Sequence, residues 1–99
     1  MKTKEDFIQE IKVVAINTEA NIRNFSTNVI DEQTLHQFYG RCLELFYRFM
    51  PYYCFMLPFH HLSEDEMLEI NQFGLDKSQE LHKLYSKIYV ERRNAIDAK

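Results

Sequence analysis

Two glycines and two prolines in 99 residues leave this chain little to turn with. A many-stranded sheet needs a tight turn every few residues, and such turns are built largely on Gly, Pro and Asn. Their scarcity favours a few long helices, and the apolar pattern agrees. Phe7, Ile8, Ile11, Val14, Ala15, Thr18, Ile22 and Phe25 recur on one helical face behind Thr3, which pairs with Asp6 as a capping box. This predicts a first helix from Lys4 to Phe25. Ser26, Thr27 and Asn28 form a turn. Ile30, stapled onto Leu35, and Asp31 as N-cap then start a second helix running from Glu32 toward Met50. Ser63 and Glu66 make another capping box. Beyond it Met67, Ile70, Gly74, Leu81, Leu84, Tyr85, Ile88 and Ala95 hold one register. The third helix is expected from Glu64 to about Asn94, roughly 45 Å at 1.5 Å per residue, with a soft point at Gly74 to Ser78.

Between the second and third helices the chain turns aromatic. Residues 45–62 contain Phe46, Tyr47, Phe49, Tyr52, Tyr53, Phe55 and Phe59 and carry no charge after Arg48. The segment is too short, and too interrupted by Pro51 and Pro58, to span a bilayer. Pro51 either ends the second helix or opens a short fourth one. The expected fold is therefore all-α. It is a single domain over residues 1–99, a small antiparallel bundle of three helices, or four if Pro51 starts one, with a Pro-flanked aromatic segment before the last.

The second helix is apolar on two sides. Its inner stripe is Leu35, Phe38, Tyr39, Cys42, Leu45, Phe46 and Phe49; a second stripe is His36, Gly40, Leu43, Tyr47 and Met50, spaced four, three, four and three. A helix with two apolar sides is covered on both, by its own bundle or by a partner. Gly40 has no side chain and so admits a close neighbour. Tyr47, Tyr52, Tyr53, Met50 and Met56 are residue types enriched at the centres of protein interfaces.

Several chemistries are excluded or weakened by spacing. His60 and His61 stand beside Asp65 and Glu66, with His36 and His82 elsewhere, but no His-Glu-x-x-His or Glu-x-x-His accompanies them. No metal and no cofactor is expected. Cys42 and Cys54 sit among apolar neighbours, where a thiol behaves as a small hydrophobe. Glu64, Asp65 and Glu66 are what a first helical turn prefers on electrostatic grounds, so they need no acid–base role. Residues 63–76 carry five anions, while Lys77 to Lys99 carries six cations against three anions. With a net charge of −3, that basic end is too small to dominate a phosphate backbone, and nucleic acid is not the expected partner. No apolar signal core opens the chain, which points to the cytoplasm, or a host's cytoplasm for a viral protein.

The sequence thus reads as a non-enzymatic helical interaction protein that binds another macromolecule and forms a homodimer. Its interaction surface is Gly40, Leu43, Tyr47, Met50, Tyr52, Tyr53 and Met56. By size and class alone this suits a regulator, inhibitor or immunity-type factor of bacteria or their phages. The alternative is a nucleotide or metabolite binder in which Arg41 and Arg48 clamp an anion between helices or subunits, with tyrosines stacking nearby.

Overall fold

Three capping boxes fix where the long helices begin. Thr3 Oγ1 accepts the Asp6 N–H at 3.2 Å while Asp6 Oδ2 accepts the Thr3 N–H at 2.9 Å. Asp31 and Thr34 do the same at 2.8 and 3.0 Å, and Ser63 and Glu66 at 3.2 and 3.1 Å. Each pair satisfies two backbone donors that a helix start leaves without an intrahelical acceptor. The computed structural model describes residues 1–53 and 61–99. It contains α1 (Lys4–Ser26), α2 (Glu32–Phe46), a 3-10 turn (Tyr47–Phe49), α3 (Met50–Tyr53) and α4 (Glu64–Asp97). Among the described residues there is no strand, and the all-α reading holds.

The bundle runs up, down and up. Lys4 pairs with Glu69 at 2.8 Å, and Ile11 lies against Gly74, so α1 and α4 are parallel. α2 runs against both: Glu32 pairs with Arg93, Phe38 packs on Tyr85 with ring centroids 5.4 Å apart, and Phe46 stacks on His82 at 3.7 Å. The core lies between the three helices and is built from Phe7, Ile11, Ile22, Leu35, Phe38, Cys42, Leu45, Phe49, Ile70 and Leu81 with their neighbours. α4 is the longest element at 34 residues, about 51 Å at 1.5 Å per residue, and sets the 55 Å long axis of a molecule only 18 by 17 Å across.

Three local expectations change. The second helix does not continue regularly to Met50: it tightens at Tyr47, and Pro51 falls inside α3, where its missing N–H belongs to the first turn and is no loss. The expected staple from Ile30 does not form, because Ile30 is 63% exposed and Val29 is buried in its place. Tyr39, expected on the inner stripe, is 44% exposed.

The two glycines exchange the roles their positions suggest. Gly74 is no soft point. It is buried, and a Cβ built there would stand 2.9 Å from the Cβ of Tyr52 and 3.7 Å from Ile11 Cδ1. Gly40 is exposed in the middle of α2, and a Cβ there would meet nothing within 4 Å. Inside a helix a glycine costs about 1 kcal/mol relative to alanine. At Gly74 the approach of α3 accounts for that cost; at Gly40 nothing within the described structure does.

Gly74→Ala should therefore destabilise the protein by about 1 to 3 kcal/mol in urea unfolding, although alanine is the better helix former, because the obstructing atom is a Cβ anchored to backbone. Acid should act through the caps. The N–H of Thr34 on Asp31, the N–H of Ser63 on Glu66 and the Arg93 guanidinium on Glu32 hold these three carboxyls below their usual range. A lowered folded value contributes stability above the unfolded value and loses it as pH falls through the folded one. The melting temperature should hold from neutrality to about pH 5 and then decline, less steeply in Asp31→Asn, which keeps an acceptor but does not titrate.

Candidate interaction surface

α2 presents its inner stripe to α1 and α4, so residues turned about a quarter-circle from it meet solvent on the side next to α4. His36, Tyr39, Gly40, Leu43 and Tyr47 occupy that position and all are exposed, Leu43 by 38% and Tyr47 by 62%. Met50 continues the strip half-buried. On the α4 edge of the same face Phe46 stacks on His82, whose Nδ1 donates to the Ser78 carbonyl at 2.8 Å. His36 and Tyr39 stack on each other at 6.3 Å. From His36 to Tyr47 the strip itself carries no Asp, Glu, Lys or Arg.

Tyr52 does not belong to this surface. It is buried, its Cβ rests over Gly74, and its hydroxyl donates to Glu10 Oε2 at 3.5 Å. No residue pattern announces this, since aromatic residues around a proline suit a core and an interface equally. Tyr53 closes α3; its side chain, like Met56, Cys54 and His60, lies outside the described residues. Tyr39 and the His82 edge, which the stripe spacing alone did not assign to the surface, join it in the structure.

Arg41 and Arg48 lie on the other flank of α2, facing the end of α1. The Arg41 guanidinium sits 5.3 Å from the Phe25 ring centre. Phe25 and Arg41 border two adjoining depressions, one of about 180 Å³ with Asn28, Thr34, Gln37 and Phe38, the other of about 240 Å³ with Glu44, Leu45 and Arg48. Small-molecule sites usually occupy about 300 to 1,000 Å³. Glu44 also brings a carboxylate between the two cations. A larger depression of about 530 Å³ along α1 is lined by Lys2, Asp6, Glu10, Val13 and Tyr52, but its polar groups serve one another: Lys2 pairs with Glu10, which also accepts from Tyr52.

Among the described residues no three His, Cys, Asp or Glu side chains gather as metal ligands would, and no helix is long and apolar enough to cross a membrane. Cys42 is fully enclosed, and burial pushes its thiol up to about 12, so it holds no thiolate near neutrality. No family model, curated protein or solved structure matches the chain.

In a Cys54→Ser background, Cys42 should react with a disulfide reagent at pH 8 at least about a hundredfold more slowly in the folded protein than in denaturant. Rapid native labelling would expose the thiol and reopen its chemistry.

Proposed function

We propose that this chain is a non-enzymatic helical interaction protein, a regulator or inhibitor that works by docking another protein on the α2 strip. One observation carries the reading: a charge-free row of large side chains, Tyr39, Leu43 and Tyr47, stays in solvent along α2 and the 3-10 turn that follows it. Depletion of charge at the centre with enrichment of tyrosine is the compositional mark of an interface core. Leucine and tyrosine held on a helix also lose little additional freedom on binding, which keeps the entropic cost low. The small-ligand alternative at Arg41 and Arg48 has less support, because its depressions are shallow and Arg41 already rests on Phe25.

A photoreactive phenylalanine analogue placed at Tyr47 should cross-link in the native host to a discrete protein, this chain included, while the same group at Asn17 on the outer surface of α1 should not. Equal, diffuse labelling from both positions would refute the docking surface. Because Tyr47 is exposed, its replacement should change the unfolding free energy by no more than about 0.5 kcal/mol, so a lost cross-link would not be a lost fold.

A further inference from the structure

We draw no further inference here: the strongest candidate, the exposed strip along α2 and the 3-10 turn from His36 to Tyr47, belongs to the docking surface already described, and nothing in the structure shows what covers it.

Discussion

The contact of Tyr52 with Gly74 is the point on which the arrangement depends. α3 is one helical turn long and has too few backbone hydrogen bonds to hold its own shape. It stays in place because its first tyrosine lies directly on the backbone of α4, where the absence of one methyl group leaves room, and because the same residue reaches Glu10 on α1. A single aromatic side chain thus joins three helices near the end where the aromatic segment departs. The 3-10 tightening at Tyr47–Phe49 is what aims it there, turning Phe49 fully inward just before the chain reaches Pro51.

With that end fixed, the rest of the bundle follows from amphipathicity and local capping. α2 is the middle element of the down stroke, so its inner stripe is shared between α1 and α4 and its remaining side meets solvent. Phe46 illustrates the division. It is buried, yet its ring partner His82 is exposed, so the stack marks the border between core and surface. At the opposite end, Glu32 with Arg93 and the Lys99 ammonium on the Ile30 carbonyl at 3.2 Å tie the start of α2 to the end of α4. These are exposed interactions and contribute little individually, but they keep the long helix alongside its neighbour.

Helix starts were legible because capping is a local code: Thr3 with Asp6, Asp31 as an N-cap, and Ser63 with Glu66 can be read without any knowledge of tertiary contacts. Helix interiors were legible where the apolar register was unbroken, as in α4. Glycine was not. A sequence shows that a side chain is missing and does not show whether a neighbour fills the space, so Gly40 was read as the close approach and Gly74 as the weak point, and the structure reverses the two within the monomer. The inner and outer faces of α2 were separable, but Tyr39 at their border was misassigned, because an error of a few tens of degrees in the helical wheel decides whether a border residue is covered. The depth of Tyr52 depends on a bend at Tyr47 for which no residue in the sequence is diagnostic.

The parallel run of α1 and α4 has an electrical consequence. Both helices begin at the same end of the 55 Å axis, with Glu5, Asp6, Glu64, Asp65 and Glu66 in their first turns, while at the other end Arg92, Arg93 and Lys99 stand among Asp31, Glu32, Glu91 and Asp97. The molecule is therefore a rod with one acidic tip and one where charges of both signs balance. A cationic surface approaching it in dilute salt is turned toward the acidic tip before it touches, over a distance of about 8 Å at physiological ionic strength.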